Sequence, residues 1–115
     1  MSELANRACE ACRPGAPQAT EAEIAEWLPH LPGWKMIEVD GVPQLTRLYK
    51  CKNFLAAMAL AEQITEIAEA ENHHPALLVE WGKLRVTWWT HKIKGLHQSD
   101  FIMAARTDML VDNVK

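Results

Sequence analysis

The sequence predicts an α+β fold with the element order α-β-β-α-β-β-α. Three observations carry that reading: two pairs of short β-prone runs, each pair joined across a Gly-containing dipeptide; three stretches with apolar residues at helical spacing; and prolines where helices must stop.

Taken in order, residues 1–19 are rich in Ala, Pro and Gly with few large apolar groups, the composition of a poorly ordered arm. Thr20 offers a helix N-cap with Glu23 at the third helical position, and a short helix should follow to about Leu28, where Pro29 and Pro32 end it. Residues 34–39 and 44–49 are strand-like runs on either side of Asp40-Gly41, a dipeptide suited to a tight hairpin turn. Asn53 can cap a long helix over residues 54–70, in which Ala57, Leu60, Ile64 and Ile67 recur at helical spacing while Glu62, Gln63, Glu66 and Glu69 take other faces. Pro75 requires that helix to stop, because proline drives the residue before it out of the helical region. A second hairpin over residues 77–81 and 84–90 turns across Gly82-Lys83, with Leu84, Val86 and Trp88 on one face and Arg85, Thr87 and Trp89 on the other. Ser99 or a neighbour caps a last helix, whose Phe101, Ile102, Ala105 and Met109 make an apolar stripe. Residues 20–115 read as a single domain.

Bulk properties narrow the function. A chain of 115 residues supports one small domain with little surplus stability. Twelve basic against 15 acidic residues, a net charge of -3, give no electrostatic case for nucleic acid or for an anionic membrane surface. Partners are therefore sought among small molecules and other proteins. No apolar run reaches the roughly 20 residues of a membrane span. Residues 1–7 lack the basic start and apolar stretch of a secretory signal, so a cytoplasmic location is expected. Three cysteines, an odd number, fit a reducing compartment better than a disulfide framework. Cys9 and Cys12 have the spacing of half a zinc site or of a redox pair, but no second pair follows, and two thiols in a loose arm is the preferred reading. Cys51, between a strand and a helix, reads as a small buried hydrophobe.

One constellation points to chemistry: Glu69-x3-His73-His74-Pro75-x5-Trp81-x9-His91-x8-Asp100. His73 and His74 fall where the long helix gives way to an extended segment, His91 at the outgoing end of the last strand, and Asp100 at the start of the final helix. Glu69 lies one helical turn before His73, on the same face. Imidazole titrates near neutral pH, so histidines gathered at one sheet end are suited to moving protons. A zinc site is the rival reading, but adjacent residues of an extended segment point to opposite sides, which disfavours His73 and His74 as ligands of one ion. His30 and His97 read as ordinary surface or core groups.

The run from Glu69 to Pro75, followed by Trp81, His91 and Asp100 at those intervals, resembles the signature of the pterin-4a-carbinolamine dehydratases. The likeness runs from about Thr20 into the last helix, and the Cys-x-x-Cys arm is similar to that of bacterial members. It implies one four-stranded antiparallel sheet with the helices packed on one face. It also implies an activity: dehydration of 4a-hydroxytetrahydropterin, left behind by an aromatic amino acid hydroxylase, to quinonoid dihydropterin and water, with no metal or organic cofactor. On this resemblance His73, His74 and His91 match the catalytic histidines, and Glu69 and Asp100 are supporting carboxylates. His73, His74, Pro75, Thr90, His91, Lys92 and Ile93 match the pterin-contacting positions, while Pro75 and Trp81 shape the site. Where the family often carries Asp before the first histidine, this chain has Asn72. The implied partners are the pterin substrate, further copies of the chain in a homodimer or homotetramer, and a functional link to the hydroxylase. A role of another class is implied as well, since some members act as a protein partner of a transcription factor; an exposed apolar face of the 54–70 helix would serve it.

Overall fold

The computed structural model describes residues 18–114. Cys9 and Cys12 lie outside the described residues, as does the side chain of Lys92. Thr20 caps α1 (Glu21–Trp27) reciprocally: its hydroxyl accepts from Glu23 N at 3.1 Å while the Glu23 carboxylate accepts from Thr20 N at 2.9 Å. Pro29 sits in the 3-10 turn Leu28–His30 that ends the helix.

Strands β1 (Lys35–Val39) and β2 (Val42–Lys50) form the first hairpin with Val39 opposite Val42, so the loop is Asp40 and Gly41 alone. Both have positive φ, 52° and 81°, as a two-residue turn matched to the strand twist requires. That tightness keeps Val42 and Pro43 in register, which makes β2 longer than residues 44–49. Helix α2 (Phe54–Glu71) starts at Asn53, whose side chain accepts from Ala56 N at 2.8 Å. It runs one residue past the expected end and stops at Asn72, which is left-handed at φ 50°, while His73 N–H donates back to Ala68 O at 3.0 Å.

Strands β3 (Ala76–Glu80) and β4 (Lys83–Trp88) pair with Glu80 opposite Lys83. The turn is therefore Trp81-Gly82, one residue earlier than Gly82-Lys83. Gly82 carries the positive φ, 75°, and Lys83 is drawn into the ladder. β4 ends at Trp88 because Thr90 leaves the ladder to bridge Gly95. Helix α3 (Gln98–Val114) closes the domain.

The sheet order is β1-β2-β4-β3, with all neighbours antiparallel. The helices cover one face, where Leu45, Tyr49, Leu84, Val86 and Trp88 pack with Ala57, Leu60 and Ile64 of α2 and Phe101, Ile102 and Ala105 of α3. Met109 of the expected stripe is 41 % exposed, whereas Met103 and Ala104 are buried. The first half of α3 is enclosed on every side, and the helix emerges further on. There Asp108 pins it to β2 and to the chain before β1, accepting from Arg47 Nη1 at 2.7 Å, from Trp34 Nε1 at 3.1 Å and from the Tyr49 hydroxyl. Cys51 is only half-buried against the core, and desolvation raises its thiol above the usual range.

Candidate active site

Three segments meet at one end of the sheet: the end of α2 with residues 73–75, the outgoing end of β4 with the 3-10 turn His91–Ile93, and the start of α3. Alternation along the extended segment sends His73 inward, 4 % exposed, and His74 outward.

His73 Nε2 lies 2.7 Å from Asp100 Oδ1, and its ring stacks on the Trp88 indole at 5.7 Å with 11° between the planes. Asp100 is fully buried, and its other oxygen accepts from Thr90 Oγ1 at 2.8 Å and from His97 N at 2.9 Å. Three donors on one carboxylate offset the cost of taking its charge out of water. A carboxylate only accepts, so the Asp100 bond puts the proton on Nε2 and leaves Nδ1 free for chemistry in the neutral ring. His97 supplies the cap expected of Ser99 or a neighbour: its Nδ1 accepts from Ser99 N at 3.1 Å while its own N–H donates to Asp100. Asp100 thus serves as helix cap and as partner of His73 together.

The exposed side of the site is built differently. Glu69 pairs with His74 Nε2, not with His73, because the left-handed Asn72 breaks the helical phase between them. Both side chains are more than half exposed, so the pair adds only about 0–1 kcal/mol of stability. His91 is exposed as well; its Nε2 donates to the backbone oxygen of His74 at 3.2 Å, and its ring lies 4.3 Å from that of Trp89. All three imidazoles therefore spend Nε2 on an oxygen of the protein, two on carboxylates and one on a carbonyl.

One expected member does not arrive. Trp81 sits 71 % exposed in the hairpin turn at the far end of β3. At roughly 3.3 Å per residue that is about 20 Å from Pro75. Thr90 is buried, and its hydroxyl donates to Asp100 at 2.8 Å. Pro75 is half-buried just before β3, and Ile93 gives its carbonyl to Gln18 Nε2 at 3.0 Å. Among the described residues, no three His, Cys, Asp or Glu side chains come together in a metal-holding arrangement. Nor is any helix of the described residues long and apolar enough to cross a membrane.

The fold defines a class of small α+β protein that recurs among solved structures. The crystal structure of a transcriptional coactivator/pterin dehydratase from Brucella melitensis matches with a TM-score of 0.73 and 33% identity, covering 82% of this chain and 98% of that one. A pterin dehydratase-like protein identified as a RuBisCO assembly factor in the alpha-carboxysome shares the fold at a TM-score of 0.57 and 16% identity, over 68% of this chain and 88% of its own. The profile of the family "Pterin 4 alpha carbinolamine dehydratase" matches residues 17–110, and the chain belongs to that family.

Proposed function

We propose that this protein dehydrates pterin-4a-carbinolamine to quinonoid dihydropterin and water by histidine acid–base catalysis, recycling the tetrahydropterin consumed by an aromatic amino acid hydroxylase. The observation that supports this most is the shared engagement of Nε2 in His73, His74 and His91, which leaves three Nδ1 lone pairs beside one sheet end. In the reaction a base takes the proton from N5, the freed electron pair closes the N5–C4a double bond, and the C4a–O bond breaks. An acid protonates the departing hydroxyl, which leaves as water. One neutral and one protonated imidazole suffice, each transfer typically contributing ~10²–10⁴-fold. The exposed His74 and His91, joined through the His74 carbonyl, are the pair best suited to meet N5 and the 4a-hydroxyl. His73 with Asp100 completes the acid–base set, and Glu69 keeps His74 oriented. Pro75, Lys92 and Ile93 border the pterin.

The test is the rate at which freshly generated 4a-hydroxytetrahydropterin is consumed. His73→Ala and His74→Ala should each slow it at least about tenfold, on the scale of one acid–base group. A double variant that kept the wild-type rate would sink the proposal.

A second reading draws on the first turns of α2, where Phe54, Leu55 and Met58 are 47%, 78% and 47% exposed. That face suits a homodimer, a homotetramer or a protein partner, and the Brucella relative carries the name of a transcriptional coactivator. A pull-down from the native cell, repeated with a histidine-dead variant, separates the readings: capture that survives loss of catalysis supports an independent partner role.

A further inference from the structure

The segment Trp88-Trp89-Thr90-His91 leaves β4 with its side chains alternating between the two faces of the sheet. Contacts verify the alternation. Trp88 and Thr90 reach α3, through Trp88 Nε1–H donating to Thr107 Oγ1 at 3.1 Å and Thr90 Oγ1–H donating to Asp100 at 2.8 Å. Trp89 and His91 lie against each other. We propose that the tandem tryptophans are positioning residues, each fixing one imidazole of the site: Trp88 holds His73 from the core side and Trp89 holds His91 from the open side. The proposal rests on the reading of both histidines as acid–base groups.

Among the described residues, each imidazole is otherwise held by a single hydrogen bond, at Nε2. One bond at one corner leaves the ring free to swing about that contact. A flat aromatic face beside the ring removes the swing. Tryptophan does this at low conformational cost, since its large rigid surface turns on only two side-chain angles. Trp88 is itself pinned, because Thr107, which accepts its N–H, donates onward to Met103 O at 2.7 Å inside α3. His73 is thus fixed on its edge by Asp100 and on its face by an indole anchored to the same helix. His91 is fixed on its edge by the His74 carbonyl and on its face by Trp89 at 4.3 Å. Displacing a reacting group by about 1 Å can cost on the order of 10²-fold in rate. Loss of either clamp should therefore lower kcat while leaving KM nearly unchanged.

Trp89 gives the cleaner test because it is only half-buried. Full-length protein carrying Trp89→Leu, Trp89→Phe or His91→Ala is compared with wild type in dehydration kinetics and by NMR of the histidine ring protons. In Trp89→Leu, kcat should fall at least about tenfold with KM within about threefold, and the His91 ring protons should lose the ring-current shift of the indole. Trp89→Phe, which keeps an aromatic face, should recover most of the rate. Thr107→Val tests the inner clamp by removing the acceptor of the Trp88 N–H while keeping the indole itself: it should move the His73 ring resonances and lower kcat. A Trp89→Leu enzyme at wild-type rate beside a slow His91→Ala enzyme would overturn the positioning role and leave the dehydratase reading standing. His91→Ala at wild-type rate would remove His91 from the chemistry and the proposal with it.

Discussion

An Asp100→Asn substitution preserves the volume of a fully buried side chain and removes its charge. Three donors converge on the carboxylate, His73 Nε2 on one oxygen and Thr90 Oγ1 with His97 N on the other. An amide can accept on one side only. Two bonds outweigh one, so the amide oxygen stays with Thr90 and His97, and the NH2 group faces His73. His73 must then accept at Nε2, which moves its proton to Nδ1 and hides the lone pair that the proposed reaction uses. A hydrogen bond to a charged group contributes about 1 kcal/mol more than one to a neutral group, so three such bonds place the destabilisation near 3 kcal/mol. For a domain of this size that lowers Tm by roughly 10–20 °C. Thermal melting, the nitrogen resonances of the His73 ring and the dehydration rate provide the three readouts. A variant that melts at the wild-type temperature with His73 still protonated on Nε2 would refute this role of Asp100.

Further expectations concern other positions of the domain. Glu69→Gln should leave Tm unchanged, because the His74 pair is exposed, yet slow turnover several-fold; a stability loss without a rate effect would reverse its assigned role. Asn72→Ala should be less stable than Asn72→Gly by about 1 kcal/mol, since position 72 is left-handed; equal melting of the two would contradict a backbone role. Asp108→Ala should cost about 2–4 kcal/mol by removing the acceptor that Trp34, Arg47 and Tyr49 share, measurable as a lower urea midpoint, with kcat unaffected in the remaining folded protein. Added chelator should leave the rate unchanged, and a chelator-sensitive rate would revive a zinc reading.

Much of the fold was legible wherever one residue dictates local backbone. Thr20 with Glu23, Asp40-Gly41, Asn53 and Pro75 each act within a few residues, and each marks the boundary it was expected to mark. The second turn slipped by one residue because Gly82 alone signals it, and a lone glycine does not say which neighbour shares the loop. Met109 was misassigned because helical spacing reports a face but not how far along the helix that face stays covered. Within the site, the divergence of His73 and His74 followed from strand alternation alone. The pairing of Glu69 with His74 did not, since it depends on Asn72 leaving the helical phase. Trp81 kept its sequence interval to the histidines but faces the other pole of the sheet, because β3 carries it away from them. The burial of Asp100 among three donors is a tertiary fact: its partners come from residues 73, 90 and 97, and only the last is local.

The central claim is that a pterin sits at the sheet end where His73, His74 and His91 gather. A crystal structure of the protein with bound 7,8-dihydropterin tests it most directly. The ring edge bearing N5 and C4a should lie within about 2.6–3.2 Å of imidazole Nδ1 atoms, with His74 or His91 among them. A pterin bound elsewhere, such as in the apolar cavity beside Tyr49, Cys51 and Leu60 at the other end of β2, would contradict it.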